Sequence, residues 1–187
     1  MDAIETIEKN GYTARIEVDD SPESPRTWGH MGTMISWHTR KTVGDRDGIR
    51  EGLDPAEFTA ELREQNALIV PVYMYSHSGE TIRTTPFGDP WDSGQVGIIF
   101  ATVEEIVKEY GSDTPETRAQ ARQYLVGEVD TYNLWASGEV YGYVIENAEG
   151  EHVDSCWGYY GIEDVRREVE ERLADLPHTL PLPEAVS

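Results

Sequence analysis

The first part of the chain alternates apolar and polar residues around a turn, a pattern that predicts a β-hairpin. Asn10 and Gly11 form a two-residue turn signal, because both residue types tolerate positive φ angles. The segment Tyr12–Val18 then alternates as a half-buried strand does. Runs rich in apolar, β-branched and aromatic residues predict further strands at Met31–His38, Ala67–Ser76, Gln95–Ala101, Glu139–Asn147 and His152–Tyr159.

Helical periodicity and capping signals predict four helices between or after these strands. Asp54 suits the N-cap of the first, and Thr102 with Glu105 fits a capping box at the start of the second, which Gly111 ends. The predicted ranges are Pro55–Gln65, the stretch between Thr102 and Gly111, the stretch from Thr114 to Gly138, and Ile162–Leu176.

The order of these elements predicts the fold class. Several strands follow one another directly, and helices interrupt them irregularly, so the pattern favours an α+β fold with a mainly antiparallel sheet and about four helices packed on it. The 187 residues suit one domain. We therefore expect a single domain over residues 1–176 and a Pro-rich C-terminal tail over residues 177–187. Loose segments are expected at Ser21–Arg26 and in that tail.

The charge changes the range of possible partners. Asp and Glu number 36 against 15 Lys and Arg, which gives a formal net charge of −21. Phosphates of nucleic acids and anionic membranes should repel such a chain, so neither direct nucleic-acid binding nor membrane binding is expected. A protein with a basic surface, of host or viral origin, is the partner that this charge favours.

Two interpretations of the acidity remain open. The first is a high-salt cytoplasm, where screening tolerates dense carboxylates and few lysines. The acids are spread along the whole chain, and only three basic residues are lysines, which favours this halophilic interpretation. The second is a DNA mimic, in which carboxylates take the place of phosphates on the surface of an inhibitor.

Other sequence features restrict the compartment and the kind of site. The N-terminal residues lack the basic region and apolar run of a secretory signal, and no apolar stretch approaches the length of a membrane span. We expect a protein of the host-cell cytoplasm. The single cysteine, Cys156, permits no internal disulfide and no Cys-rich zinc site. Neither a P-loop nor a dinucleotide-binding fingerprint is present, and no cofactor follows from the sequence.

A hydrolytic site is one hypothesis for the candidate catalytic residues His77, Asp92 and Cys156. A thiol nucleophile needs a base, for which His77 or His38 is a candidate, and a group that orients the base, for which Asp92 or Glu128 is a candidate. The alternative for Cys156 is a small buried hydrophobic side chain within a strand. The alternative for Asp92 is a turn acceptor in a loop that Trp91 anchors.

Metal binding and partner binding define the other candidates. His38 and Asp45 are ligand types that suit zinc, iron or manganese, but their spacing is not compact, and a solvated turn is the alternative for Asp45. Glu128 lies beside the predicted inner stripe of the third helix (Ala121, Leu125, Val129 and Tyr132). Its pKa would be raised if it were buried without a cation, and otherwise it would reach water. The candidate binding residues are Trp91, Ser93, Gln95, Trp157 and Glu128.

Several strings occur in a characteristic order. They are Thr33-Met34 with Trp37-His38, Gly44-Asp45, His77-Ser78-Gly79, the run Trp91-Asp92-Ser93-Gly94-Gln95-Val96-Gly97, Glu128-Val129 with Tyr132, and Ser155-Cys156-Trp157-Gly158. This order resembles a group of uncharacterised proteins encoded by phages and other mobile elements, over roughly residues 25–161. The family pattern places Ser-Cys-Pro-Trp-Asp after Pro-Phe, whereas this chain has Gly88 and Asp89 at the first two of those positions. A thiol beside Trp91 is therefore absent.

The resemblance implies a viral or mobile-element setting and no particular activity. Together with the charge, it leads to the hypothesis of an accessory protein that binds another protein, of which an anti-restriction or other anti-defence inhibitor is the sharpest version. The rival hypothesis is a hydrolase that uses the region of His77, Asp92 and Cys156, with or without a metal.

Overall fold

The computed structural model describes residues 3–77, 79–89 and 91–177. Ser78, Pro90 and the predicted tail from residue 178 onward lie outside the described residues. Within the described part, four α-helices and nine strands in two mostly antiparallel sheets confirm the α+β class. The chain divides into two compact units. The terminal unit combines Met1–Glu23 with Gly138–Ser187, and the central unit is Ser24–Ser137.

The predicted elements are present, with boundaries shifted by a few residues. The strands are β1 (Glu5–Lys9), β2 (Tyr12–Val18), β3 (Thr33–Ser36), β4 (Arg46–Asp47), β5 (Leu68–Ser76), β6 (Glu80–Arg83), β7 (Ser93–Ala101), β8 (Val140–Glu146) and β9 (His152–Tyr160). The helices are α1 (Pro55–Glu64), α2 (Val103–Tyr110), α3 (Pro115–Ala136) and α4 (Ile162–Asp175), and a short 3-10 helix covers Pro25–Thr27. Among the described residues, no helix is long and apolar enough to cross a membrane.

The terminal unit is a four-stranded antiparallel sheet with α4 packed on it. Its strand order is β1-β2-β8-β9. Asn10 and Gly11 both have positive φ, at 57° and 85°, which confirms the hairpin that the sequence predicts. The apolar stripe of α4 meets the inward-facing residues of β2 and β8 in one buried cluster: Tyr12, Ala14, Ile16, Tyr143, Ile145, Val165, Val169 and Leu173.

The central unit is a five-stranded sheet in the order β4-β3-β7-β5-β6, in which only β3 and β4 pair in parallel. Helix α3 packs on one face of this sheet through the predicted stripe, and all four stripe residues are buried. A second cluster, which includes Leu62 of α1, Ile35, Ile98 and Phe100, fills the side of the sheet that carries α1. The sheet therefore has helices packed on both faces, and polar groups lie in the loops that connect its strands.

Candidate functional site

The loop before β7 presents Trp91 to solvent on a backbone that is held in place. The Trp91 side chain is 92% exposed. The Asp89 carboxylate accepts hydrogen bonds from the backbone N–H groups of Trp91, at 2.8 Å, and Asp92, at 3.3 Å. The Asp92 carbonyl in turn accepts the N–H of Ser76 at 2.9 Å, which ties the loop to β5. Asp89 therefore shapes the turn as an Asx acceptor, a role that the sequence offered for Asp92.

The rest of the motif around Trp91 has a structural role in β7. The pairing of β5 with β7 shifts register after Val72, so β7 carries a bulge at Val96. The Val96 carbonyl accepts the N–H of Trp37 at 2.8 Å. A Cβ on Gly97 would lie 2.3 Å from the Ile35 carbonyl oxygen, so only glycine fits there. The Gln95 side-chain amide donates to the Gly97 carbonyl at 3.2 Å.

A cavity of about 460 Å³ lies beside this loop in the central unit. Four residues that the sequence singled out line it together: His38, Trp91, Asp92 and Ser93. The Ser93 hydroxyl donates to the Asp89 carbonyl, so it is engaged within the loop. Other lining groups include Arg40, Ser76 and Glu80, and Glu80 also pairs with Lys41. Burial lowers the pKa of Lys41.

His77 lies next to Asp92, which is one of the residues that line this cavity. The distance from His77 Nε2 to Asp92 Oδ2 is 4.0 Å, and the two side chains are 65% and 41% exposed. That separation is too long for a direct hydrogen bond. The His77 ring stacks on Tyr75 with a centroid distance of 6.4 Å and an interplanar angle of 9°. The structure thus brings together two of the three candidate catalytic residues.

The third candidate, Cys156, belongs to the terminal unit. It lies on β9, a strand at the edge of that sheet, and its side chain is exposed, so the alternative of a buried cysteine is wrong. Its Sγ lies 3.8 Å from the Trp157 carbonyl. Burial, together with a hydrogen bond to the Cys156 side chain, raises the pKa of the Tyr159 phenol. Trp157 is 42% exposed, and its ring lies across Gly142 of β8, where a Cβ would come within 2.2 Å.

The proposed metal ligands His38 and Asp45 have different surroundings. Among the described residues, no group of three or more His, Cys, Asp or Glu side chains is arranged to hold a metal ion. Asp45 is engaged by the Arg26 guanidinium, with Nε to Oδ1 at 2.8 Å and Nη2 to Oδ2 at 2.6 Å. It also accepts the N–H of Met34 at 2.7 Å. The Nδ1 atom of His38 is buried and has no hydrogen-bond partner.

Arg26 is the central residue of a buried ionic network that sequence reasoning did not find. Its side chain is 6% exposed, and it joins Asp45 to Glu128, whose Oε2 lies 2.7 Å from Nη1. Glu128 Oε1 accepts the N–H groups of Met31 and Gly32 at 2.9 and 3.1 Å. Burial alone would lower the pKa of Arg26, but its hydrogen bonds to Asp45 and Glu128 outweigh burial and raise it. Glu128 is therefore buried with a cation, unlike either alternative that the sequence offered.

This network corrects the expectation that Ser21–Arg26 is a loose segment. The 3-10 helix begins after Ser24, whose hydroxyl accepts the N–H of Arg26, and Pro25 is buried. One signal in the sequence points to this network. Glu128 lies beside the predicted apolar stripe, and a carboxylate buried there is stabilised when another segment of the chain supplies a cation.

Comparison with known proteins identifies no relative of this chain. No family model matches the chain, and searches of curated proteins and solved structures return no match.

Proposed function

We propose that this chain is an accessory protein of a virus or mobile element that acts by binding a partner protein with a basic surface. The observation that carries the proposal is Trp91, which is 92% exposed on a loop that Asp89 holds in shape. Exposing an indole to water is unfavourable, and Trp is enriched among the residues that dominate binding energies at interfaces. An ordered and exposed Trp therefore supports a contact surface.

The distribution of charge supports the same partner class. Among the described residues, nine of the fifteen basic side chains lie within 4.0 Å of a carboxylate, so most cations are already neutralised locally. The formal net charge of −21 then leaves a large excess of carboxylates to attract a basic surface. The nine are Arg15, Arg26, Lys41, Arg46, Arg50, Arg118, Arg166, Arg167 and Arg172.

The sharpest form of the proposal is an inhibitor of restriction or of another defence system. In that form, the surface carboxylates take the place of DNA phosphates on a nucleic-acid-binding host protein. A polyanion such as heparin should then compete with the chain for its partner, and the affinity should fall as ionic strength rises. Under the high-salt interpretation, heparin should not compete for the partner and the affinity should not fall as ionic strength rises. Charge that serves only solubility in salt contributes nothing to partner binding.

The first experiment is affinity capture from host extract at the host's own salt concentration, with tagged wild type and the Trp91→Ala variant side by side. Ile49→Ala is the matched control, since Ile49 is also an exposed apolar residue of the central unit, at 48%. The proposal expects one stoichiometric partner that wild type and Ile49→Ala capture and Trp91→Ala loses. Equal capture by all three would contradict it.

A second candidate function is a hydrolase centred on the cavity beside β7. The observation that favours it is the 4.0 Å separation of His77 Nε2 and Asp92 Oδ2 next to His38. Asp92 could orient His77 as a general base toward a water molecule, and such contacts are often long without substrate. Hydrolysis of ester or phosphoester substrates that His77→Asn abolishes would support this candidate, with Cys156→Ala as the test of a thiol role. Equal activity in wild type and His77→Asn would reject it.

A further inference from the structure

A second cavity in the central unit has aromatic walls. It encloses about 300 Å³, and its lining includes Pro25 and Arg26 of the 3-10 helix together with residues of α3. Trp28 and Tyr124 both line it, and each is 44% exposed. On α3, Gly127 faces open space, since a Cβ built there meets nothing within 4 Å. The volume lies at the small end of the range for ligand pockets and suits one side chain rather than a large metabolite.

The Arg26 network contributes Arg26 and Glu128 to the lining of this cavity, and its guanidinium is already engaged. Nε and Nη2 donate to Asp45, Nη1 donates to Glu128, and Nη2 also donates to the Gly32 carbonyl at 2.6 Å. Asp45 and Glu128 carry two negative charges against the single positive charge of Arg26. A bound anion would thus compete with two carboxylates for the same guanidinium.

An adjoining cavity of about 380 Å³ extends the acidic character of this region. It shares Gly29, His30 and Tyr124 with the first cavity, and it adds Glu105, Lys108 and Glu109. The two cavities together are lined by three carboxylates, Glu105, Glu109 and Glu128, against the cations Arg26 and Lys108, and Asp45 pairs with Arg26 without lining either cavity. The balance of fixed charge therefore favours a cationic ligand between Trp28 and Tyr124.

We propose that the cavity between Trp28 and Tyr124 binds a cationic side chain, the guanidinium or ammonium group of an arginine or lysine on a partner protein. The face of an indole or phenol ring attracts a cation through its quadrupole, and desolvation between two rings strengthens that attraction. The excess of carboxylates in the lining of the two cavities adds a longer-range attraction. The alkyl stem of the ligand would contact the apolar wall that Pro25 and Trp28 provide.

The test is a titration of the full chain with N-acetyl-L-arginine amide, monitored by two-dimensional ¹H–¹⁵N NMR. We expect saturable shifts of the Trp28 indole N–H and of the backbone of Gly127, while the Trp157 indole stays unchanged. The neutral isostere N-acetyl-L-citrulline amide should bind at least about fivefold more weakly, because it has the shape but lacks the charge. Equal binding of citrulline, preferential binding of N-acetyl-L-aspartate amide, or no shift at Trp28 would overturn the proposal.

Two substitutions at Gly127 separate binding from folding. Alanine and leucine both raise helix propensity at this exposed position in α3, and a Cβ there meets nothing within 4 Å, so both variants should fold at least as well as wild type. Gly127→Leu fills the cavity and should weaken arginine binding about tenfold or more, whereas Gly127→Ala should weaken it much less. Unchanged binding in Gly127→Leu would place the ligand elsewhere. The cavity does not include Trp91, so the outcome is independent of the proposed contact at Trp91.

Discussion

Arg26 and Glu128 are 102 positions apart in sequence and form an ion pair in which the side chains are only 6% and 10% exposed. The pair connects the 3-10 helix to α3, and Asp45 completes it from the segment between β3 and β4. Three segments of the central unit are therefore joined at one guanidinium.

Removal of this guanidinium should destabilise the protein strongly. Arg26→Ala leaves Asp45 and Glu128 largely buried without their cation, and loss of one partner from a buried pair typically costs about 3–5 kcal/mol. Arg46→Ala is the matched control, because Arg46 pairs with Glu51 at the surface, where the side chains are 35% and 36% exposed. The control should lose about 0.5 kcal/mol or less. Urea unfolding measures both, and equal losses would contradict the role assigned to Arg26.

The two glycines near Trp91 should respond differently to a methyl group. Gly97→Ala places a Cβ 2.3 Å from the Ile35 carbonyl oxygen, so β3 and β7 must separate, at a cost of about 1–3 kcal/mol. Gly94→Ala meets nothing within 4 Å and should change the free energy of unfolding by about 0.5 kcal/mol or less. Thermal unfolding of the two variants distinguishes these outcomes, and a stable Gly97→Ala protein would show that β7 pairs differently.

Asp89 should control the Trp91 loop without supporting the fold. Its carboxylate accepts two backbone N–H groups within the loop, so Asp89→Ala should free the loop and weaken partner binding while the unfolding midpoint stays nearly constant. Asp89→Asn retains one carbonyl acceptor and should keep most of the affinity. Hydrogen exchange of the Trp91 and Asp92 amides provides the direct readout. Exchange as slow in Asp89→Ala as in wild type would exclude this role.

Tyr143 should ionise late in an alkaline titration. Burial, followed by a hydrogen bond from its hydroxyl to Asp154 at 3.0 Å, raises its pKa from 10.0 to about 12. A raised pKa favours the neutral phenol in the folded state, so its contribution to stability is complete below pH 10 and is lost as the pH rises toward 12. In an alkaline titration followed by tyrosinate absorbance at 295 nm, the Tyr143→Phe variant should lack one of the ionisation steps that wild type shows at high pH. A Tyr143 that ionises near pH 10 would contradict its burial.

Local patterns in the sequence predict most elements of this fold, because they act over a few residues. The Asn10-Gly11 turn, the Thr102 capping box and the α3 stripe are all confirmed. Division of the strands between two sheets depends on contacts distant in sequence, which a local pattern does not encode. The same limit applies to the Arg26 network, since nothing near Arg26 indicates that its partners are Asp45 and Glu128.

The candidate site was predicted only in part for the same reason. The sequence assigned His77 and Asp92 to one candidate site, and the structure brings their side chains to within 4.0 Å of each other. Cys156 resembles a catalytic residue only by type, and it belongs to the terminal unit. The aromatic cavity between Trp28 and Tyr124 joins residues about a hundred positions apart, and neither residue belongs to a recognisable motif.

The most direct test of the proposed function is the dissociation constant of the captured partner, measured by calorimetry at the host's salt concentration for wild type, Trp91→Ala and Ile49→Ala. If Trp91 dominates the contact, Trp91→Ala should weaken binding about 30-fold or more, while Ile49→Ala stays within about twofold of wild type. All three proteins should have the same unfolding midpoint. A Trp91→Ala variant that binds as tightly as wild type would contradict the proposal that this loop is the binding surface.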